Sequence, residues 1–531
     1  MRRFLPLLVL ATSQFVMVLD TSVMNVSITR IVEDLGTTIA GVQGTITAYA
    51  LVMAMTMLVG ARLGDIWGAH RTYALGLGLY AVGSLVTALS PNLLVLLIGW
   101  SLVQGLGAAL VMPAVLALTT VTYEGRDRAL AFGVLGGVTG AAVAAGPVIG
   151  GWVTATFTWR YVFAAEAVVI LGVLLTRRLL GTVPARPSRF DLVGAVMSGA
   201  GLGMVVLGVL QGASWGWVLP AAVPVVGGVE LAPLGFSPVP FLVFGGLGLL
   251  ALLSHRLERR IQQAQPVLVD LRLLEVIPLR VGLITLLLQQ FVLLGAFFVL
   301  PVYLQVIVGQ DAFTTGLTIL PMSASLVASA LIGPRLAAGW SIRRVVQLGI
   351  VLLAVGALLL AAALDPALVT AGFTVGLVVF GAGAGLMMSQ LGNVIMSSAG
   401  SAHSSEAGGL QGTAQNLGAA LGTALVGSVL LAGLSAGFAG NVVDGDLDPP
   451  VRDAVVARAQ AGVDMVPLDV ARSVARDAGL AAAEVEEVVA AYGQAQLQAF
   501  KVAILLVALA ALLTLWPARR IPAKVAADSP G

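Results

Sequence analysis

Two acids, Asp20 and Glu166, sit inside long apolar runs of this chain. A carboxyl group in lipid costs at least a few kcal/mol, so a functional role is its default reading. The chemistry such groups offer is exchange of protons, or of a cation, across the membrane. Asp20 lies about sixteen residues into the first run, roughly 24 Å along a helix rising 1.5 Å per residue. It either binds and releases protons or is satisfied by Thr21, Ser22 or Asn25 and holds its helix against a neighbour. Glu166, near the outer end of the sixth run, would bind protons or cationic substrates unless Arg160, six residues earlier, claims it in an interfacial ion pair. Uncharged polar residues are candidates to line a cavity: Asn25, Gln104, Gln289, Gln290, Tyr303, Gln305, Gln390, Asn393, Gln411, Gln415 and Asn416. Neighbouring Met and Phe residues would supply an adaptable apolar wall. Most of the polar set is expected to be spent on interhelical hydrogen bonds.

Other chemistries lack their residues. Cysteine is absent, which excludes disulfides, thiolate metal sites and thiol nucleophiles. His70, His255 and His403 fall in separate polar connectors, and no Ser/His/Asp set clusters. No GxxxxGK[ST] sequence is present to cradle a nucleotide's phosphates. The expectation is therefore no metal, no cofactor and no enzymatic reaction, with transport driven by an ion gradient or by the substrate's own. A formal net charge of +2 does not provide a nucleic-acid-binding surface.

The elements that must position the acids follow from composition. Hydrophobic residues make up 58% of the 531, charged ones 10%, and mean hydropathy is +1.00, which makes this an all-α polytopic membrane protein. Fourteen spans are predicted, starting near Phe4, Val42, Thr72, Leu93, Leu130, Tyr161, Phe190, Val239, Val281, Thr315, Val345, Leu368, Gly408 and Gln498. The first carries Asp20 and lacks a small-residue cleavage site, so it is read as a retained helix. With both termini on one side, 21 of the 28 Lys and Arg share that side, which predicts cytoplasmic termini. A Pro/Gly-rich outer loop spans about Gly212 to Pro238. A polar outer segment runs from Asn441 to Leu497, within which Asp469 to Tyr492 reads as one or two amphipathic helices, a solvated cap or a gating or docking element.

An internal repeat sets the organisation. "GARLGDIWGAHR" from Gly60 and "GPRLAAGWSIRR" from Gly333 share Gly, Arg, Leu, Trp and the final Arg at an offset of 273, in the loops after the second and tenth spans. Parallel repeats of this kind build two rocking halves around a midplane site. The expected divisions are a six-helix half at 1–180, two inserted helices at 181–262, a second half at 263–518 that includes the outer loop 441–497, and a tail at 519–531. In the fifth span Gly133, Gly137, Gly140, Gly146, Gly150 and Gly151 surround Pro147, which predicts close helix contact and a kink.

These strings resemble the major facilitator superfamily, specifically its fourteen-helix drug:proton antiporters, along nearly the whole chain. "LDTSVMNVSI" from Leu19 is similar to the family's span-1 motif, with Asp20 at the acid position. "GARLGDIWGAHR" resembles the loop 2–3 motif with Asp65 and Arg71 in place, and the string ending "GPVIGG" resembles the antiporter motif. "WRYVFAAEAV", "LPVYLQVIVGQDAFTTGLTILP" and "SSEAGGLQGTAQNLGAALGTAL" resemble further signatures. The resemblance implies proton-coupled efflux of amphiphilic or cationic drugs across a bacterial cytoplasmic membrane. In that reading Asp20 and Glu166 handle protons, while Asp65, Arg71, Gly146, Pro147 and Gly150 serve the conformational switch. The partners implied are a small-molecule substrate, protons and lipid, with no oligomer predicted. The same scaffold would suit export of one lipid, siderophore or self-made antibiotic; a non-transporting receptor or assembly subunit is the remote alternative. Three departures stand out: Ser101 replaces the family's span-4 arginine, Ile66 follows the loop aspartate where a basic residue is usual, and Glu166 stands where asparagine is common.

Overall fold

The computed structural model describes residues 4–123, 125–180, 190–220, 225–226, 229–230, 232–263, 265–365, 370–399, 404–445, 447–460 and 462–523. Eleven helices among them are long and apolar enough to cross a membrane. Numbering the long helices in chain order, these are α1 (Leu5–Val26), α2 (Ile39–Trp67), α4 (Leu93–Thr119), α7 (its apolar part Leu192–Val209), α8 (Pro238–Gln262), α9 (Ile277–Ile307), α10 (Ala312–Ala337), α11 (Ile342–Ala362), α12 (Ala371–Ala399), α13 (Glu406–Val443) and α14 (Ala482–Ala518). Three more helices, α3 (Ala69–Ala88), α5 (Gly125–Thr156) and α6 (Arg160–Thr176), stand where the third, fifth and sixth spans are predicted. Lipid offers backbone N–H and C=O groups no partner, so each apolar run satisfies its own by coiling. Polar residues at the run boundaries cap the first turns: Thr38 accepts from Gly41 N, Asn92 from Val95 N, Asp311 from Thr314 N and Ser341 from Arg344 N. Gly68, at φ 88°, makes the tight α2–α3 turn that a side chain would strain, which accounts for that glycine of the loop motif.

Helix starts lie within a few residues of the predicted ones, with two exceptions. Leu368 lies outside the described residues, as does His403. The last helix begins at Ala482 rather than near Gln498, because the amphipathic stretch continues it: Glu484 caps Ala481 N at 2.7 Å and Phe438 of α13 meets Tyr492 edge-on at 5.4 Å. α13 reaches Val443, so α13 and α14 carry a packed cap with two short helices, Pro449–Gln460 and Leu468–Asp477. Tyr492 and Gln496 fasten the cap by bonds to Asp464 O and Val466 O at 2.7 Å each. One small departure from an all-helical chain occurs in the Pro/Gly-rich loop, where Val225–Val226 and Val229–Glu230 form a short antiparallel pair.

The repeat extends further than the loop motif. α1 packs on α5, α3 on α4 and α6, and α2 on α4; eight helices later α9 packs on α13, α11 on α12 and α14, and α10 on α12. Glycines make these contacts at the same 273-residue spacing. Gly60 meets the Ala109 backbone of α4 and Gly333 meets Ser389 of α12. A Cβ on Gly76 would lie 2.9 Å from Gly107 O, and one on Gly349 2.8 Å from Gly383 O. A Cβ on Gly83 would lie 2.5 Å from Gln104 N, and one on Gly356 2.5 Å from Phe380 N. Two seams join the repeats, α2 with α13 and α5 with α10; exchanging equivalent helices converts one into the other. α7 and α8 pack together, and α7 lies on α2 and α13, so the inserted pair covers the first seam.

Candidate functional site

Asp20, fully buried six residues before the C-terminal end of α1, accepts two hydrogen bonds from one described donor. Trp100 Nε1 lies 3.0 Å from Oδ1 and 2.9 Å from Oδ2. Trp100 belongs to a π-helical segment of α4, Leu97–Gln104, whose wider turn also presents Ser101 and Gln104; such segments recur at functional sites. Tyr49 of α2 stacks flat on the indole with centroids 4.6 Å apart. Gly83 lets α3 press against Gln104, which brings Tyr80 and Ser84 of α3 to the same place.

Glu166 of α6 comes in beside Asp20, with Gln104 next to both carboxyl groups. The Ser84 hydroxyl lies 2.7 Å from Phe163 O and 3.3 Å from Glu166 Oε2, one proton serving two acceptors. Glu166 Oε1, both amide atoms of Gln104 and the Tyr80 hydroxyl are buried without a well-formed hydrogen bond. The ion pair with Arg160, the alternative reading of Glu166, does not form. Arg160 is drawn outward by Asp34, donates to Ser90 O at 2.7 Å and lies 4.5 Å over the Trp159 ring, whose Nε1 also binds Asp34 at 3.0 Å. Ser101, at the position of the family's arginine, spends its hydroxyl on Thr45 O at 2.8 Å. Two carboxyl groups therefore share an apolar setting in which no described cation pairs with either.

The other predicted residues divide among several places. Asn25 donates to Thr21 O at 2.8 Å within α1. Gln305 joins the C-terminal ends of α1 and α9: its Nε2 donates to Val26 O at 3.1 Å and its Oε1 accepts from Thr29. Tyr303 is not with the acids; its hydroxyl donates to Asp365 O at 2.6 Å, and its ring packs between Phe373 and Phe500 in the second repeat. Both residues lie on a second π-helical segment, Tyr303–Ile307, just past Pro301, which breaks the hydrogen-bond ladder. Gln289 donates to Ala384 O at 3.3 Å and leaves Oε1 without a partner, as do Gln290 and Gln411. Gln390 bonds Ser389, Asn393 accepts from Ser397, and Asn416 donates to Gly412 O next to Met57; Gln415 is half-buried on α13. Asp65 and exposed Arg71 flank the Gly68 turn. Gly146 and Gly150 press α5 onto Ser22 and Val23 of α1, Gly151 presses it onto Ala312 of α10, and Pro147 falls within the same helix. Trp100, Tyr49, Tyr80 and Ser84 were not singled out from sequence, although Trp100–Gln104 and Tyr80–Ser84 each sit four residues apart on one helix.

Comparison with known proteins fits this architecture. The Major Facilitator Superfamily model matches residues 10–196 and 185–423. The tetracenomycin C resistance and export protein of Streptomyces glaucescens is 29% identical over 433 residues, covering 80% of this chain and 75% of that protein. The puromycin resistance protein of Streptomyces alboniger is 32% identical over 437 residues, covering 81% and 82%. The methylenomycin A resistance protein of Bacillus subtilis is 29% identical over 426 residues, covering 80% and 87%. Among solved structures, a bacterial homologue of the human lysosomal transporter Spinster, inward-facing and unoccupied, shares the fold at TM-score 0.59 and 14% identity, covering 98% of each chain. On the family match, the mirrored helix packing and these relatives, the chain belongs to the Major Facilitator Superfamily, whose members are membrane transporters of small molecules.

Proposed function

We propose that the protein exports amphiphilic or cationic small molecules in exchange for protons, by alternating access between halves 1–180 and 263–518. In this reading all fourteen long helices cross the cytoplasmic membrane, both termini are cytoplasmic, and 181–262 contributes the inserted pair. The observation that carries it is the juxtaposition of Asp20 and Glu166, buried side by side with no cation among the described residues paired to either. Two carboxylates in an apolar setting repel, and a proton between them turns that repulsion into a hydrogen bond. Trp100 holds Asp20 from one side and Ser84 holds Glu166 from the other, so a proton entering or leaving exchanges between positioned groups. Energetics bear on stoichiometry. One proton exchanged for one monovalent cation moves no net charge, so only a pH gradient drives it. Two protons, one per acid, would add about 2.3 kcal/mol per 100 mV of potential.

The test is efflux of ethidium from cells producing the protein, with and without an uncoupler. Wild-type efflux should be lost with the uncoupler, and Asp20→Asn should lose it without one. Efflux that survives the uncoupler would remove proton coupling from the reading. A narrower variant, export of one compound, draws support from the relatives' names, which specify single antibiotics. Absent ethidium efflux together with protection against one such antibiotic would favour it.

A further inference from the structure

Glu166 belongs to two environments at once. Behind it lies Asp20; in front of it a crevice of about 660 Å3 runs between α1, α5 and α6. The crevice opens away from the seams between the repeats. α6 packs on α1, α3 and α5, and the residues at the mouth, Phe157 and Tyr161, are 60% and 59% exposed, on a surface that the proposed fourteen-span arrangement turns toward lipid. Phe15, Val153 and Ala165 continue the wall, and Glu166 is the one acid that lines it. Trp152, Phe157 and Tyr161 form an edge-to-face aromatic row across the outer rim, as aromatic residues do at a membrane interface.

We propose that this crevice is a lateral site at which an amphiphilic organic cation enters from the bilayer, its apolar body against Phe15, Val153 and Phe157 and its charge on Glu166. The volume suits a drug-sized body, and the aromatic wall favours a cation over its ring faces. The carboxyl group has the chemistry to receive that charge: Glu166 lines the crevice at 3% exposure, its Oε2 takes a shared Ser84 proton at 3.3 Å, and its Oε1 is buried with no hydrogen-bond donor among the described residues. Arg160, the nearest basic residue in sequence, is held away by Asp34 and Trp159. A phospholipid does not satisfy the same geometry. Its headgroup stays at the interface, whereas Glu166 lies six residues, roughly 9 Å, below the outer end of α6. An organic cation whose own body partitions into hydrocarbon reaches that depth. The site rests on the proposed cation export for its physiological role. On that reading, cation arrival at Glu166 and proton transfer involving Asp20 meet at one side chain.

The experiment is equilibrium binding of ethidium to the full-length protein in nanodiscs, read by fluorescence. Ala165 is exposed on the crevice wall, so Ala165→Trp fills the crevice without entering the core. Val168, 70% exposed and outside the crevice, gives the control Val168→Trp. The expected result is an affinity reduced tenfold or more by Ala165→Trp and by Glu166→Gln, and unchanged by Val168→Trp. Wild-type affinity in Ala165→Trp overturns the lateral site even if Glu166→Gln binds weakly, since the charge would then be met from the central side; absence of wild-type binding overturns it as well. Uncoupler-sensitive efflux from cells is scored separately. Loss of the crevice result with efflux intact removes this inference alone, and an intact crevice result with no efflux removes the export reading alone.

Discussion

Replacing Gln305 with alanine should loosen the contact between the C-terminal ends of α1 and α9. Gln305 ties α9 to α1 by two hydrogen bonds, Nε2 to Val26 O at 3.1 Å and Thr29 to Oε1, and it is 7% exposed. Each bond contributes about 0.5–1.5 kcal/mol net. Gln305→Ala therefore withdraws about 1–3 kcal/mol from the arrangement in which the C-terminal ends of α1 and α9 meet, a shift of about 5- to 150-fold toward a state in which those ends separate. Thr29→Val removes one of the two bonds and should give about half the free-energy change. The chain contains no cysteine, so spin labels can be placed at Glu33→Cys and Leu317→Cys without a background. Both sites are exposed, Glu33 near the outer end of α1 and Leu317 near that of α10. Pulsed dipolar spectroscopy in nanodiscs should then show a longer-distance population that grows from wild type through Thr29→Val to Gln305→Ala. An identical distance distribution in all three would refute the idea that this contact helps hold the outer gate.

Three further outcomes are expected. Gly83→Ala and Gly356→Ala, whose Cβ atoms would lie 2.5 Å from the facing backbone nitrogens, should each cost about 1–3 kcal/mol in thermal unfolding. Gly78→Ala, with nothing within 4 Å, should cost nothing; equal losses in all three would mean that close helix approach is not what the glycines supply. Trp100→Phe keeps the stack on Tyr49 but removes the one donor among the described residues in well-formed hydrogen bonds to Asp20, so efflux should fall at least tenfold at unchanged expression, and wild-type efflux would show that Asp20 needs no donor. Asp191 caps α7 through Gly194 N and pairs with Arg256 and Arg260 of α8 at 2.8 and 2.9 Å. Burial opposes its ionisation, but the Arg256 hydrogen bond, the Gly194 N–H and the two guanidinium charges outweigh that and hold the carboxyl below the usual carboxylate range. This contribution is therefore present above the unfolded value near pH 3.9 and is lost as pH falls below it. Asp191→Asn should cost about 1–3 kcal/mol at pH 7, less than a fully buried pair because the arginines are about a quarter exposed. A variant whose melting temperature matched wild type at pH 7 would count against that linkage.

The sequence showed most where one physical constraint dominates. Long apolar runs must become helices in lipid, so existence and order of the elements were legible, and the start of α4 at Leu93 was placed to the residue. The end of the chain was harder because helix and membrane have different limits. α14 continues beyond the bilayer on an amphipathic face, and a hydropathy reading cuts it at the lipid boundary. The repeat was visible as a twelve-residue string, but Gly76, Gly83, Gly349 and Gly356 gained meaning only with the facing helices in place. In a chain with 64 glycines, composition does not mark the few that meet backbone. Asp20 and Glu166 were legible individually because a charge in lipid needs a reason. Their adjacency was not, since it depends on how α1 and α6 pack around α3 and on a π-helical turn in α4 that no periodicity announced.

The departure at Ser101 acquires a physical sense from that adjacency. A fixed arginine in such a cluster would be a permanent counter-charge, and the acids would be neutralised by the protein itself. Here Ser101 is committed to the backbone of α2 and Arg160 to Asp34 at the surface, so neither supplies that charge. A desolvated carboxylate cannot be left unpaired cheaply. On the proposed reading, its partner must therefore be exchangeable, either a proton or the cation being carried. A site whose counter-charge is always borrowed couples the two because each occupies the place the other has left. On that reading, the absence of a resident cation among the described residues is the basis for antiport rather than a defect in it.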